Sequence, residues 1–321
     1  MTGEGARDTE QGAPRVIALF GPTGLGKTEV AVALAERLGA ETVVADSMQV
    51  YRGLPILTNQ PTAEQRARGR YHLVGVLEPS VESSVAAFAA LAHAAIDDAL
   101  GRGVPVIVEG GSGLYLRAAL GSLTFAGEPD PVVRRDLEAA WARDPGGMIG
   151  QLRSLDPATA ACLDLANPRR VIRALEAVRA LGRPLVEAER GALWRPGERY
   201  AHQLVVLEPR RDTLRARIDA RVDAMVAEGA LDEVRRARAA GPLSRTVLQA
   251  IGVRELLAVL EGECSLADAV ARMRSRTHAL VRRQLTWSRK LPAATIEPVD
   301  ECAPDVAASS LLARLRPDWS G

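Results

Sequence analysis

One short stretch of the sequence combines glycines with a lysine and a threonine at a spacing that suits phosphate binding. Residues 21–28 read GPTGLGKT and fit the pattern G-x-x-x-x-G-K-T. Glycines at these positions let backbone amides point at phosphate oxygens, and a following helix adds the positive end of its dipole. The pattern therefore predicts a diphosphate-binding loop, with a Mg²⁺ ligand at Thr28, built from Gly21, Pro22, Thr23, Gly24, Leu25, Gly26, Lys27 and Thr28.

The sequence on either side of this loop predicts the elements that must position it. Residues 15–20 are apolar and β-branched, whereas residues 27–38 carry apolar side chains at helical spacing. Strands that alternate with helices of this length favour parallel β-α-β units. We therefore predict an α/β fold, a doubly wound parallel sheet of the P-loop NTPase type. The other predicted elements are strands at 42–45, 104–108 and 202–207 and a helix at 85–100.

Two acidic side chains follow predicted strands. Asp46 comes after the strand at 42–45, and Glu109 comes after the strand at 104–108. Parallel sheets bind ligands at the carboxyl ends of their strands, so both carboxylates are expected beside the loop. An enzyme that transfers phosphoryl groups would use such a carboxylate to anchor Mg²⁺. The residues alone therefore leave a kinase or an ATPase open.

The rest of the chain predicts a second, helical part and two loosely held ends. Residues 128–199 are rich in Arg, Glu and Ala and contain no convincing strand, which indicates a helical insertion. The P-loop core would then comprise 15–127 and 200–295. We expect residues 1–14 and 296–321 to be loosely held tails. The C-terminal helices are predicted over 212–240, 243–260 and 265–290.

Composition narrows the class of protein. The chain has 321 residues, of which 47% are apolar and 25% charged, as in ordinary globular proteins. It contains no stretch typical of a membrane span or signal peptide, so we expect a cytoplasmic protein. We also expect the protein to be a monomer. The cysteines form no CxxC pair and indicate no zinc site. The net charge is +1, yet residues 271–290 carry many arginines and no acid, which indicates a solvated helix face or a phosphate-binding surface.

The loop is the first of several motifs that follow one another along the chain. DSMQVYRG stands at 46–53, GGSGLYL at 110–116, NPRRVIRALE at 167–176, QAIGVRE at 249–255 and RRQLTW at 282–287. In this order they closely resemble the motifs of the tRNA dimethylallyltransferases, also called tRNA isopentenyltransferases. The resemblance extends from about Val16 to Lys290. An ordered set of motifs is far more specific than a P-loop, which many unrelated families share.

The resemblance implies a reaction and roles for several residues. A dimethylallyl group would pass from dimethylallyl diphosphate to the exocyclic amine of the adenosine immediately 3′ to a tRNA anticodon, with release of pyrophosphate. Asp46 would act as the general base, and Thr23 would lie near the adenine and the diphosphate. Arg217 would bind the diphosphate together with the loop, and Mg²⁺ at Thr28 would help stabilise its developing charge.

The resemblance also assigns residues to tRNA binding. A base in a folded anticodon loop must leave its stack, which requires a pocket and a surface that grips the RNA backbone. Trp287 is expected to anchor the core. Ser112, Pro55, Val253 and His278 depart from the residues usual in the family. The residues assigned to tRNA are Asp46, Ser47, Met48, Gln49, Ser112, Arg134, Arg169, Arg170, Val171, Ile172, Arg173, Gln249, Ala250, Ile251, Gly252, Val253, Arg254, Arg282, Arg283, Gln284 and Arg289.

Other functions remain open at this point. An adenylate isopentenyltransferase of the cytokinin type would share the loop and Asp46, but it would accept AMP instead of tRNA. A P-loop small-molecule kinase would consume ATP. A non-catalytic RNA-binding NTP switch would show nucleotide-dependent RNA affinity and form no prenylated product. The acceptor and the nucleotide consumed distinguish these functions.

Overall fold

The computed structural model of the chain describes residues 15–122, 130–186, 197–209, 214–289, 291, 295–299 and 304–315. The predicted tail at 1–14 and Lys290 lie outside these ranges. The strands are β1 (Val16–Phe20), β2 (Glu41–Val44), β3 (Tyr71–His72), β4 (Val106–Gly110), β5 (Gly121–Ser122), β6 (Gly197–Glu198), β7 (His202–Pro209) and β8 (Thr295–Val299). The α-helices are α1 (Lys27–Leu38), α2 (Pro55–Thr58), α3 (Ala63–Arg68), α4 (Val85–Gly101), α5 (Gly113–Leu120), α6 (Pro131–Arg143), α7 (Pro145–Leu155), α8 (Pro157–Cys162), α9 (Pro168–Leu181), α10 (Leu214–Ala227), α11 (Ala230–Ala240), α12 (Val253–Leu260), α13 (Leu266–Ser288) and α14 (Pro304–Arg314).

A six-stranded parallel sheet carries the loop. Its strand order is β3-β2-β4-β1-β7-β8, and every neighbouring pair is parallel. β1 lies inside the sheet between β4 and β7, which explains why all of its residues are apolar and buried. The predicted α/β fold with a parallel sheet is confirmed. Because the strands are parallel, β1, β2 and β4 end at the same edge.

The packing of α1 on the sheet places the loop at that edge. Ile17, Leu19 and Ile107 point to one face of the sheet and share a buried cluster with Leu34 of α1. α1 begins at Lys27, directly after the loop. The N-terminus of α1 is therefore held over the edge where β1, β2 and β4 end.

The chain divides into two compact units. The first comprises Met1–Leu120 and Tyr200–Gly321, and the second is Gly121–Arg199. The insertion predicted at 128–199 lies within the second unit. Helices α6 to α9 of this unit enclose a small core of their own, in which Leu137, Leu152 and Leu175 are buried. β5 and β6 form an antiparallel pair in the same unit.

The prediction of a loosely held tail from residue 296 is wrong over the part of it that the structure describes. β8 pairs with β7 from Thr295 to Val299, and α14 packs against α1 with Leu311 fully buried. In the sequence, Pro298 is evidence against a strand, because proline has no backbone N–H to donate to a neighbouring strand. On an edge strand, however, a proline has no ladder hydrogen bond to lose on its outer side. The C-terminal segment therefore completes the sheet.

The C-terminal helices are more divided than the sequence predicted. The stretch 212–240 forms α10 and α11, which separate at Gly229, where φ is 102°. The stretch 243–260 contains a 3₁₀ turn at Val247–Gln249 before α12. The helix predicted at 265–290 corresponds to the single helix α13, which runs from Leu266 to Ser288 with Ser265 as its N-cap. None of the helices within the described ranges has the length and apolar character needed to cross a membrane.

Candidate active site

A cavity of about 560 Å³ lies at the carboxyl edge of the sheet. It brings together residues from separate motifs, which agrees with the rule that parallel sheets bind ligands at this edge. Gly21 and Leu25 of the loop are buried. The residues with sequence-predicted roles that line the cavity are Pro22, Thr23, Gly24, Gly26, Lys27, Thr28, Asp46, Ser47, Met48, Gln49, Ser112, Gln249, Ala250, Ile251, Arg283 and Gln284.

The backbone of the loop explains two of its glycines. Gly24 has a φ of 93° and Gly26 a φ of 73°, in the left-handed region that other residues adopt at a cost. Gly26 is also the N-cap of α1 and makes no side-chain cap hydrogen bond. The first amides of α1 therefore face the cavity side of the loop with the helix dipole behind them, which suits an anion.

Asp46 is held by its own backbone turn. Its Oδ1 accepts hydrogen bonds from the amides of Met48 (2.7 Å) and Gln49 (3.3 Å). Among the described residues, Oδ2 has no hydrogen-bond partner. The turn fixes the direction of the carboxylate and leaves one oxygen available in the cavity, as a proton acceptor requires.

Glu109 is a second carboxylate in the cavity and is almost completely buried, with 1% of its surface exposed. Burial raises the pKa of its carboxyl group, while the nearby Lys27 ammonium and Thr28 hydroxyl act in the opposite direction. Neither carboxylate oxygen has a hydrogen-bond partner among the residues that the structure describes. Glu109 therefore differs from Asp46, whose Oδ1 accepts hydrogen bonds from two backbone amides.

The structure brings Arg221, and not the predicted Arg217, to the described wall of the cavity. Both arginines lie on α10, whose buried residues Leu214, Ile218 and Val222 face the core at four-residue spacing. Arg217 and Arg221 precede two of these anchors and are one helical turn apart. Burial lowers the pKa of the Arg221 guanidinium, and its Nε has no hydrogen-bond partner within the described part of the chain. Of the two, Arg221 is the one that lines the cavity, and the assignment of Arg217 to the diphosphate stays a prediction.

α13 contacts the loop through the side chain of Gln284. The Thr23 amide donates a hydrogen bond to Gln284 Oε1 at 3.0 Å. The same side chain fills the space above Gly111, where a Cβ atom would lie 2.5 Å from Gln284 Nε2. Gln284 was predicted to bind tRNA, and that role stays a prediction. In the structure it is a buried residue that positions Thr23.

Trp287, one turn further along α13, packs on the start of α5. A Cβ atom at Gly113 would lie 2.4 Å from the Trp287 ring, and the Arg117 guanidinium stands 4.8 Å from the ring centroid. The ring therefore contacts protein on two sides. This contact agrees with the expectation that Trp287 anchors the core.

The arginines of α13 and of its C-cap, Arg289, differ in whether they form ion pairs. Arg274 pairs with Asp223, and Arg276 pairs with Glu255 at 2.5 Å. The exposed side chains of Arg282, Arg283 and Arg289 have no acidic partner among the described residues. These three arginines are available to an external phosphate, and so is Arg272 in the first half of α13, which is also exposed.

Some residues assigned to tRNA have side chains that are buried in the protein. Val171 and Val253 are fully buried, and Ile172 and Ala250 are 4% exposed. Val171, Ile172 and Val253 pack in cores, whereas Ala250 lines the cavity. A role of these four residues in tRNA binding stays a prediction. In the second unit, Arg169 and Arg170 are exposed, whereas Arg134 and Arg173 form ion pairs with Glu176.

The cavity also has an apolar wall that the sequence analysis missed. Met273 and Leu280 of α13 contribute to it, and so does Leu57 of α2. Met273 stands on the buried face of α13 together with Thr277, Val281 and Gln284 at helical spacing. That periodicity could have indicated which face of α13 is buried. It could not have indicated that the face borders a cavity. Val222, Met225, Ala250 and Ile251 complete the apolar wall.

The chain is similar to proteins of one family over most of its length. A family model described as IPP transferase matches residues 49–291. The tRNA dimethylallyltransferase of Anaeromyxobacter dehalogenans is 46% identical over 279 residues, which are 86% of this chain and 92% of the relative.

Solved structures show the same similarity. The tRNA isopentenylpyrophosphate transferase of Bacillus halodurans has a TM-score of 0.67 and 32% identity, over 95% of this chain and 96% of that one. A eukaryotic dimethylallyltransferase acting on tRNA has a TM-score of 0.78 and 25% identity, over 92% of this chain and 77% of that one. Because the family model and the relatives cover most of the sequence, the chain belongs to the IPP transferase family, the family of the tRNA dimethylallyltransferases.

Proposed function

We propose that this chain transfers a dimethylallyl group from dimethylallyl diphosphate to the exocyclic amine of the adenosine immediately 3′ to the anticodon of tRNA, and that pyrophosphate leaves. The observation that carries the proposal is the combination within one cavity of an anion-binding loop, an apolar wall and the carboxylate of Asp46. Family membership agrees with this chemistry.

The donor fits the two kinds of surface in the cavity. A diphosphate suits the amides at the start of α1 and the Lys27 ammonium. A short branched hydrocarbon suits the wall that contains Leu57, Met225 and Met273. A kinase would need polar contacts for the ribose and base of ATP. The apolar wall offers few of them, which favours a prenyl donor over a nucleotide.

Asp46 would act on the acceptor. The adenine amine is a weak nucleophile because its lone pair is delocalised into the ring. The free Oδ2 of Asp46 accepts a proton from the amine as its nitrogen forms a bond to the allylic carbon, and the carbon–oxygen bond to the diphosphate breaks. Gln49 contributes a buried Oε1 without a described hydrogen-bond partner, which suits an amine donor.

The opposite end of the cavity would stabilise the leaving group. Negative charge grows on the diphosphate as the carbon–oxygen bond breaks, and the loop amides, Lys27 and Arg221 surround that charge with fixed positive groups. Oxygen donors are the ligands that Mg²⁺ prefers, and the Thr28 hydroxyl with the neighbouring carboxylates provides them. Bound there, Mg²⁺ would neutralise part of the diphosphate charge.

The RNA backbone would be held by exposed arginines. Arg282 and Arg283 on α13 and Arg289 at its C-cap suit backbone phosphates, and Arg283 also lines the cavity. Arg169 and Arg170 are exposed on the second unit. We expect the chain to act as a monomer in the cytoplasm, where its tRNA substrate is available. Gel filtration with light scattering would test the oligomeric state.

An acceptor assay tests the proposed function. Purified protein is incubated with Mg²⁺, radiolabelled dimethylallyl diphosphate, and either unmodified tRNA or AMP. We expect label in tRNA and none in AMP. Label in AMP alone would establish the adenylate isopentenyltransferase. Absence of label transfer, together with ATP consumption in a parallel incubation with ATP, would favour an ATP-consuming enzyme instead.

The same assay with Asp46→Asn tests the assigned base. Asparagine keeps the oxygen that accepts from the amides of Met48 and Gln49, so the turn is preserved, but it cannot accept a proton. Turnover should fall by about 100-fold or more, with little loss of tRNA affinity. An Asp46→Asn enzyme with normal turnover would remove Asp46 from the mechanism.

A further inference from the structure

The environment of Glu109 is unusual for a carboxylate. The residue is 1% exposed and lines the cavity, yet no hydrogen bond of ordinary geometry reaches either of its oxygens among the described residues. The compensating groups nearby are the Lys27 ammonium and the Thr28 hydroxyl of the loop, both of which lower the pKa of the Glu109 carboxyl. Buried carboxylates are normally paired, hydrogen-bonded or bound to a metal ion. A side chain of this kind is costly to keep in a cavity unless a ligand completes its environment.

The pairing of β4 with β1 places the Glu109 side chain near the end of the cavity that the loop forms. Glu109 pairs with Leu19 of β1, and both side chains point to the face on which α1 packs. Leu19 lies two residues before the loop begins. Glu109 therefore lies beneath the first turn of α1, which contains Lys27 and Thr28. Asp46, at the end of β2, has one oxygen occupied by its backbone turn.

This arrangement matches the chemistry of a magnesium site in a P-loop protein. There, the loop hydroxyl binds Mg²⁺ together with phosphate oxygens, and a carboxylate at the end of a neighbouring strand holds the ion. Mg²⁺ keeps several waters and takes only one or two carboxylates from the protein. Consistent with so few ligands, no three His, Cys, Asp or Glu side chains in the described ranges form a metal-binding group.

We propose that Glu109 is the second protein anchor, with Thr28, of the Mg²⁺ ion that accompanies the diphosphate, and that it holds the ion through a coordinated water. The proposal rests on the proposed function only in requiring that a diphosphate bind the loop. Glu109 would be a positioning residue for the ion and would take no part in proton transfer, which belongs to Asp46.

Glu109→Gln tests the anchor by metal binding, without the prenyl-transfer reaction. Free Mn²⁺, as a probe for Mg²⁺, is titrated by electron paramagnetic resonance into protein saturated with inorganic pyrophosphate. The mutation should weaken Mn²⁺ binding by about 10-fold to 100-fold. Pyrophosphate binding in EDTA should stay equal or become tighter, because a negative charge is removed beside the anion. A simple loss of structure would weaken both.

Controls separate the anchor from other roles. Glu297→Gln removes another buried strand carboxylate, on β8 and outside the described cavity lining, and should leave Mn²⁺ affinity unchanged. Glu109→Asp keeps the charge but shortens the side chain, so its Mn²⁺ affinity should fall between the wild type and Glu109→Gln. It also provides a second test if the glutamine variant does not fold.

Two results would overturn the proposal. One rejects only the role of Glu109, and the other also rejects the diphosphate site. Equal Mn²⁺ affinity in wild type and Glu109→Gln, with pyrophosphate bound to both, would reject the anchor alone. Failure of the wild-type protein to bind pyrophosphate at all would reject the diphosphate site of the proposed function, and the anchor with it.

Discussion

At the scale of single residues, the proposed reaction needs a negative group beside the adenine amine, to accept its proton, and positive groups beside the diphosphate, to stabilise the leaving pyrophosphate. Asp46 Oδ1 accepts two backbone amides, and Oδ2 has no hydrogen-bond partner among the described residues. Arg221 presents a half-buried guanidinium whose Nε lacks a described partner. A charge fixed in a site with little water acts more strongly than one in solution and needs little reorganisation during the reaction.

The choice between two arginines on α10 gives a residue-scale prediction. Arg221→Gln should lower kcat/KM for dimethylallyl diphosphate by about 100-fold, because a positive group beside the developing pyrophosphate is lost. Arg217→Gln, one turn away, should change kcat/KM by less than about threefold. Steady-state kinetics of both variants measure the contrast. The reverse order would restore the assignment made from the sequence.

Site residues could be placed from the sequence where one short motif beside one strand identifies them. The loop pattern GPTGLGKT and Asp46 each lie in one motif next to one strand, so their placement needs only local structure. Arg217 and Arg221 differ by a single turn, and no pattern along the chain distinguishes them. The contact of Thr23 with Gln284 joins residues 261 positions apart, which only the tertiary structure reveals.

At the scale of elements, the C-terminal strand and helix complete the core that supports α1. Leu311 of α14 is fully buried in the cluster that contains Leu34 of α1 and Leu19 of β1. Arg37 of α1 also donates to Ser309 at 2.6 Å and pairs with Asp305 at 3.3 Å. The segment that was predicted from the sequence to be a loose tail therefore helps to hold α1, whose N-terminus is proposed to bind the diphosphate.

This packing predicts a difference between two positions on α14. Leu311→Ala should lower the free energy of unfolding by about 2–5 kcal/mol, because it removes a buried side chain and leaves a cavity. Val306→Ala on the same helix, at a position that is 59% exposed, should change it by less than about 0.5 kcal/mol. Urea denaturation followed by fluorescence compares them. If both variants were as stable as wild type, the C-terminal segment would be loosely held after all.

The elements that the sequence missed share a physical reason. β3 has only two residues, and β8 contains Pro298, so neither shows a strong strand pattern alone. Each lies at an edge of the sheet and forms because a neighbouring strand offers unpaired backbone groups. In contrast, β1 and β4 lie inside the sheet and are predicted from their apolar runs.

At the scale of the whole molecule, the chain combines a P-loop core with a helical insertion and a basic helix. The loop and Asp46 would serve any enzyme that moves a group from a diphosphate to an adenine. The exposed arginines Arg282 and Arg283 on α13 and Arg289 at its C-cap are the feature that a free nucleotide acceptor would not need. The size of the acceptor therefore distinguishes the proposed function from its nearest rival.

The position of the modified nucleotide is the most direct test of the proposed function. Unmodified tRNA is incubated with the protein, dimethylallyl diphosphate and Mg²⁺, then digested with a base-specific nuclease and analysed by mass spectrometry. We predict the mass gain of one dimethylallyl group on the fragment with the adenosine immediately 3′ to the anticodon, and none when that adenosine is replaced by guanosine. A gain on any other nucleotide, or no gain with intact tRNA, would contradict the proposed function.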